Sequence, residues 1–262
     1  MSIIQSIILG IIQGLTEFLP VSSSGHLEIG KVLLGANIKD SLGFTVMLHC
    51  ATVLSTLVVF RKEIIELFVG FFKFKMNDET SYVIKILLSM IPVGLVGFFL
   101  KDKIEALFEG NLILVGSMLL LTALLLTLSY FVKHEESRSV GYFDSIIIGI
   151  AQAVAVLPGL SRSGSTIATG LLLGNKKTDV AKFSFLMVIL PILGMTLLDF
   201  KSGAFSSMQV DLVPIIVGFV TAFIVGYIAC KWMINLVKQG KLIWFAVYCA
   251  IVGCIAIGST LF

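Results

Sequence analysis

The sequence predicts an all-α integral membrane protein with six transmembrane helices and two re-entrant helix-loop-helix pairs in an inverted-topology repeat. Composition is the first support. The chain is 57% hydrophobic and 13% charged with a mean hydropathy of +1.04, more apolar than a soluble core requires. Span length is the second. Six runs approach the roughly 20 residues that cross a hydrocarbon layer: Ser41 to Phe60, Tyr82 to Leu100, Leu112 to Val132, Ala181 to Leu198, Leu212 to Cys230 and Leu242 to Phe262. The third is internal similarity between two shorter segments, Ile7 to Gly35 and Phe143 to Gly174.

Each short segment holds two apolar stretches too brief to span, separated by polar and helix-breaking residues. The first break is Gln13-Gly-Leu-Thr-Glu-Phe-Leu-Pro-Val-Ser-Ser-Ser-Gly-His26. Pro20 ends one helix and the serines after it cap the next. The second break contains Leu157-Pro-Gly-Leu-Ser-Arg-Ser-Gly-Ser-Thr166. A shift of 139 residues matches twelve of the thirty positions from Ser6 to Gly35, where roughly two or three would match by chance. One membrane domain, 1–262, thus divides into repeat one at about 1–132 and repeat two at about 140–262. Each copy holds three spans, an odd number, so the second starts from the opposite face, as in transporters with midplane broken helices.

Twelve Lys and Arg residues gather on one side, among them Arg61, Lys73, Arg138, Lys176 and Lys238, while Lys31, Lys39, Lys101, Lys103 and Lys201 lie on the other. The first side is therefore cytoplasmic, with both termini outside. The segment Arg61 to Tyr82 interleaves charge with Phe68, Phe71, Phe72 and Phe74 and reads as an interfacial amphipathic helix or a solvated loop. A net charge of +3 spread over short loops excludes a nucleic-acid partner. Cys50, Cys230, Cys249 and Cys254 lack metal-ligand spacing and read as small buried hydrophobes. The N-terminus reads as retained structure, without a cleavable leader.

Chemistry concentrates in the two breaks. Gln13 and Glu17 are four apart and share one helix face. Glu17 and Arg162 each carry a charge costing roughly 2.5 to 3.5 kcal/mol at a bilayer centre, so they need partners or a wet cavity. A purely structural ion pair between the hairpins is one reading. The company of Arg162, namely Ser161, Ser163, Gly164, Ser165 and Thr166 at a helix start, favours a phosphate site. Ser22, Ser24 and Gly25 open the matching start in the first hairpin, beside Ser23 and His26. A capping or packing role is the plainer reading of His26. His49 reads as an interior histidine at one remove from the site, His134 as solvated, and Glu28 with Lys31 as an exposed outer pair. Lys85 reads as snorkelling to the cytoplasmic interface. Gly10-x-x-x-Gly14 and Gly170-x-x-x-Gly174 read as close-packing notches.

At these residues the chain resembles the undecaprenyl pyrophosphate phosphatase family, the bacitracin-resistance membrane phosphatases of bacterial cell-wall synthesis. Gln13-Gly-Leu-Thr-Glu17 with Pro20-Val-Ser-Ser-Ser-Gly-His26 looks like its first motif, and Pro158-Gly-Leu-Ser-Arg-Ser-Gly164 like its second. The resemblance implies hydrolysis of undecaprenyl diphosphate to undecaprenyl phosphate and inorganic phosphate in the bacterial inner membrane. It implies functional residues at Gln13, Glu17, Ser23, His26, Ser161 and Arg162; together with the two helix starts this gives Glu17, Ser23, His26 and Arg162 as expected catalytic residues, with Gln13, Ser22, Ser24, Gly25, Ser161, Ser163, Gly164, Ser165 and Thr166 binding substrate. Ser23 would attack with His26 as its base, or water would attack with Glu17 and a metal. Many members carry Glu where this chain has Gln13. Glu17 is thus the one carboxylate for Mg²⁺ or Ca²⁺, which the diphosphate itself would chiefly hold. Expected partners are a polyprenyl diphosphate lipid and the bilayer, and a homodimer is compatible with both. The rival reading is a transporter or flippase of a phosphorylated polyprenyl lipid.

Overall fold

Ser2 starts the first helix by accepting a hydrogen bond from the Gln5 N–H at 3.2 Å, while Gln5 Oε1 accepts from the Ser2 N–H at 2.7 Å. This helix, α1 (Ile3–Thr16), runs to the turn around Pro20. Ser22, held at φ 71, then caps α2 (Ser23–Leu33) by accepting from the Gly25 N–H at 3.3 Å. The second broken segment repeats the plan as α7 (Tyr142–Val154) and α8 (Arg162–Leu172), with Ser161 accepting from the Gly164 N–H at 3.1 Å. Between and after them lie α3 (Ser41–Val59), α4 (Arg61–Phe71), α5 (Asp78–Phe99), α6 (Leu112–Phe131), α9 (Lys177–Met187), α10 (Leu212–Lys238) and α11 (Ile243–Gly258). The structure, a computed structural model, describes residues 1–35, 41–100, 104, 107, 111–131, 138–194 and 212–260. All regular structure among the described residues is helical apart from one isolated bridge between Arg138 and Asn175.

Among the described residues three helices, α5, α6 and α10, are long and apolar enough to cross a membrane, and α3 with α4 makes a fourth if the pair, bent by 76°, counts as one span. The bend turns Arg61 to Phe71 into a helix, with Ile65, Phe68 and Val69 exposed on it. Two expectations shift. The span expected to start at Tyr82 begins at Asp78, because Asn77 accepts from the Thr80 N–H at 2.8 Å and two acids fill the first turn. The run from Ala181 breaks at Val188 and resumes over 189–194, since Pro191 has no N–H for the Met187 carbonyl. The rest of that run lies outside the described residues, as do His134, Lys39, Lys101, Lys103, Lys133 and Lys201.

Glycines set the closest contacts. A methyl group at Gly10 would sit 2.8 Å from the Gly218 carbonyl oxygen, and at Gly14 2.9 Å from that of Ala222, so α1 lies directly on α10. Gly170 notches against Val180 in the same way, whereas Gly174, at φ 81, serves a turn. Gly116 and Gly253 bring α6 against α11. Rows such as Leu87, Ile91 and Leu95 on α5 and Ile216, Val220 and Ile224 on α10 face outward. Such an apolar exterior suits lipid, and the molecule is a multi-pass membrane protein. Lys85 lies 5.3 Å from the Tyr142 ring centroid.

Two burial expectations are corrected. Glu28 and Lys31 are not an exposed pair: Lys31 is 6% exposed, and the two meet at 2.9 Å. Desolvating the ammonium demands that partner. Among the cysteines only Cys230 and Cys249 are buried, whereas Cys254 is exposed on α11 and Cys50 is intermediate.

Candidate active site

Both hairpin tips end at the same place. Glu17, at the C-terminal end of α1, and Arg162, the first residue of α8, form an ion pair through Glu17 Oε1 and Arg162 Nη2. Arg162 is placed there by its serine cap: Ser161 donates its backbone N–H to Thr122 Oγ1 at 3.0 Å, and Ser163 Oγ donates to the Leu19 carbonyl at 3.2 Å. The second hairpin is thereby tied to α6 on one side and to the first hairpin on the other. Backbone contact at the tips is close enough that a methyl group at Gly25 would lie 3.3 Å from Gly159 Cα.

The other carboxylate oxygen, Glu17 Oε2, gathers the remaining polar groups. It accepts from Ser23 Oγ at 2.7 Å and from Gln13 Nε2 at 2.9 Å, and lies 3.7 Å from His49 Nε2. Glu17 is nearly sealed, its side chain 5% exposed, whereas that of Arg162 keeps 26%. A carboxylate so buried is tolerated because cation and donors meet both oxygens. A small cavity, about 20 Å³ and open on one side, lies against the pair. Its wall includes Thr52, Thr56, Ser163 and Ser184 as polar members and Phe18, Val53 and Phe185 as apolar ones.

The structure brings together Gln13, Glu17, Ser23 and Arg162, with His49 nearer than expected. It does not bring His26 to Ser23. The ring sits with Nδ1 2.8 Å from the Ser22 carbonyl oxygen and Nε2 2.8 Å from the Tyr248 hydroxyl, while the Ser23 hydroxyl proton points to Glu17. Ser22 and Ser24 share a hydroxyl contact at 3.3 Å, and Ser161 and Ser163 one at 3.4 Å. Gly25 and Gly164 supply the capped N–H groups. Thr166 turns to Ser184 at 2.6 Å, reaching the cavity only through it, and Ser165 Oγ is buried without a partner among the described residues.

Sequence reasoning missed Thr52 and Tyr248. Thr52 is within 3.4 Å of Gln13 Nε2, and the signal for it was a stripe, His49, Thr52 and Thr56, at helical spacing along an apolar span. Tyr248 carries no such pattern.

No group of three or more His, Cys, Asp or Glu residues among those described is placed to hold a metal. Two hard oxygen donors stand on this stretch: the Glu17 carboxylate and Gln13 Oε1, which is buried and has no hydrogen-bond partner among the described residues. That set fits a divalent cation that keeps its phosphate and water ligands and takes one or two from protein.

A family model described as bacitracin resistance protein BacA matches residues 6–255. An undecaprenyl-diphosphatase of Bacteroides fragilis is 59% identical over 257 residues, 97% of this chain and 96% of the relative. One of Parabacteroides distasonis is 58% identical over 264 residues, 100% and 99% of the two chains. One of Methanobrevibacter smithii is 41% identical over 271 residues, 97% and 96%.

Proposed function

The chain belongs to the bacitracin resistance protein BacA family, and from that premise we infer that it is an undecaprenyl-diphosphatase, a membrane hydrolase. It converts undecaprenyl diphosphate and water to undecaprenyl phosphate and inorganic phosphate. The observation that carries the reading is the line Ser23, Glu17, Arg162, in which a hydroxyl, its proton acceptor and a cation suited to phosphate are in direct contact, the last two lining the cavity. A carrier needs binding donors for a phosphate but no such proton-transfer contact, so transport is the weaker reading.

The mechanism follows from the contacts. The terminal phosphoryl group takes the guanidinium of Arg162 and the leading N–H groups of α2 and α8, at Ser24 and Ser163. Loose phosphoryl-transfer transition states depend mainly on such positioning and charge. Ser23 Oγ attacks the terminal phosphorus and passes its proton to Glu17 Oε2, the role the sequence reading gave to His26. The bridging P–O bond breaks, undecaprenyl phosphate leaves, and water releases the phosphate from Ser23. Mg²⁺ or Ca²⁺ arriving with the diphosphate would be held by Glu17 and Gln13 Oε1 and would supply further neutralisation of its charge.

The wider reading has six spans, two re-entrant pairs, an inverted repeat and both termini outside the inner membrane. Exchanged packing supports it. Helix α1 lies on α10 while its counterpart α7 lies on α5, and α3 packs on α10 while α9 packs on α5.

Phosphate release from undecaprenyl diphosphate by the detergent-purified protein tests the function. Release should vanish in Glu17→Ala and Arg162→Ala, and EDTA reports the metal. Phosphoserine trapped at Ser23 supports the covalent route; full activity in Ser23→Ala would remove it. A folded protein that releases no phosphate from any lipid diphosphate returns the question to transport.

A further inference from the structure

With Ser23 turned to Glu17, His26 takes no part in the attack of Ser23, yet it is held from two sides. The Ser22 carbonyl oxygen accepts from the His26 backbone N–H at 3.2 Å and lies 2.8 Å from the ring Nδ1. A carbonyl can only accept, so Nδ1 carries the ring proton and Nε2 of the neutral ring presents its lone pair. The Tyr248 hydroxyl, 2.8 Å away, is the donor that lone pair requires. The two rings are nearly parallel, 15° apart, with centroids 5.6 Å apart.

Tyr248 is itself located by its neighbours. It stands on α11, in the second half of the chain, next to Cys249, whose Sγ donates to the Pro20 carbonyl at 3.5 Å. Cys249 packs with Val21, Val115, Leu119 and Ala123 directly beneath the hairpin tip. The helix that bears Tyr248 is thus fixed to the turn that bears Ser22, and the geometry between hydroxyl and imidazole is set by packed backbone.

We propose that Tyr248 is a positioning residue of the phosphatase reaction, whose hydroxyl acts with the Ser22 carbonyl to hold His26 in the Nδ1–H tautomer, leaving Nε2 to accept the proton of the water that releases phosphate from Ser23. Tyr248 as a residue is 43% exposed, so its hydroxyl can yield its place at Nε2 when a diphosphate arrives. The proposal rests on the phosphatase reading for its catalytic consequence and on geometry alone for the tautomer.

The test is Tyr248→Phe, which keeps the ring and removes the donor. In phosphate release from undecaprenyl diphosphate, kcat should fall about tenfold, while KM stays within about twofold. In parallel, ¹⁵N-histidine spectra of the detergent-solubilised protein resolve three histidines, with His26 assigned through His26→Gln. His26 Nε2 should read as unprotonated in wild type and move toward a tautomer mixture in Tyr248→Phe. Protonated Nε2 in wild type, or a lowered kcat with an unmoved His26 spectrum, overturns the proposal; so does wild-type kcat in the variant. A wild-type protein that hydrolyses nothing overturns the functional reading instead, and the nitrogen spectrum still decides the tautomer.

Discussion

The two hairpins share their scaffold and differ in their chemistry. Offset by 139 residues, Ser22 and Ser161 are both caps that accept from a glycine N–H, Gly25 and Gly164. Gly35 and Gly174 both turn the chain at positive φ. Both bases are tied at the matching carbonyl, Leu34 by Gln5 Nε2 at 2.9 Å and Leu173 by Arg138 Nη2 at 2.7 Å. The reacting groups are the mismatches: Glu17 faces Val156 in the alignment, Ser23 faces Arg162, and His26 faces Ser165. Where the copies agree, they describe how to break a helix inside a membrane. Where they part, the proposed reaction draws base and nucleophile from one copy and the cation from the other.

That division can be broken experimentally. The largest effect belongs to a mismatch: Arg162→Ala should lower kcat/KM by about a thousandfold, while Val156→Ala, at the counterpart of Glu17, stays within about threefold of wild type. Comparable losses in a phosphate-release assay would end the claim that chemistry resides in the divergent positions. Next come the shared glycines. A methyl group at Gly164 would lie 3.0 Å from Ser161 Cβ, and one at Gly25 would lie 3.2 Å from Val115 Cγ1. Gly164→Ala and Gly25→Ala should each destabilise by about 1 to 3 kcal/mol, read as thermal unfolding in detergent. A cost confined to one hairpin would show that the scaffold is not shared. The smallest effect sharpens the comparison at one matched residue. Gln13 bonds Glu17 and sits near Thr52, whereas neither amide atom of the buried Gln152 has a partner among the described residues. Gln152→Leu should therefore be neutral or stabilising by about 1 kcal/mol, and Gln13→Leu should cost activity, checked by thermal scans and turnover.

What could be read from residues alone followed from solvation cost. Glu17 and Arg162 were forced toward each other because neither can stand unpaired in hydrocarbon, and Pro20 and the serine caps located the breaks. Features that depend on which faces meet were harder. The seal over Lys31 and Glu28 arises from the packing of a helix too short to span, and nothing in their spacing separates a sealed pair from a solvated one. Tyr248 is one tyrosine in an apolar run, and its partner is 222 positions away. By contrast, the early start at Asn77 and the break before Pro191 were written in local chemistry and legible in principle.

The contact between Glu17 and Arg162 has a kinetic consequence. In the resting protein the cation that the proposed reaction turns on a phosphoryl group is already occupied by an anion of the chain's own making. The carboxylate therefore acts as a tethered competitor, present at every turnover and at fixed effective concentration. It weakens the hold on inorganic phosphate as much as on substrate. A site that binds its product loosely clears itself, and the same pair that keeps two charges tolerable in lipid also keeps the cavity from filling with spent phosphate.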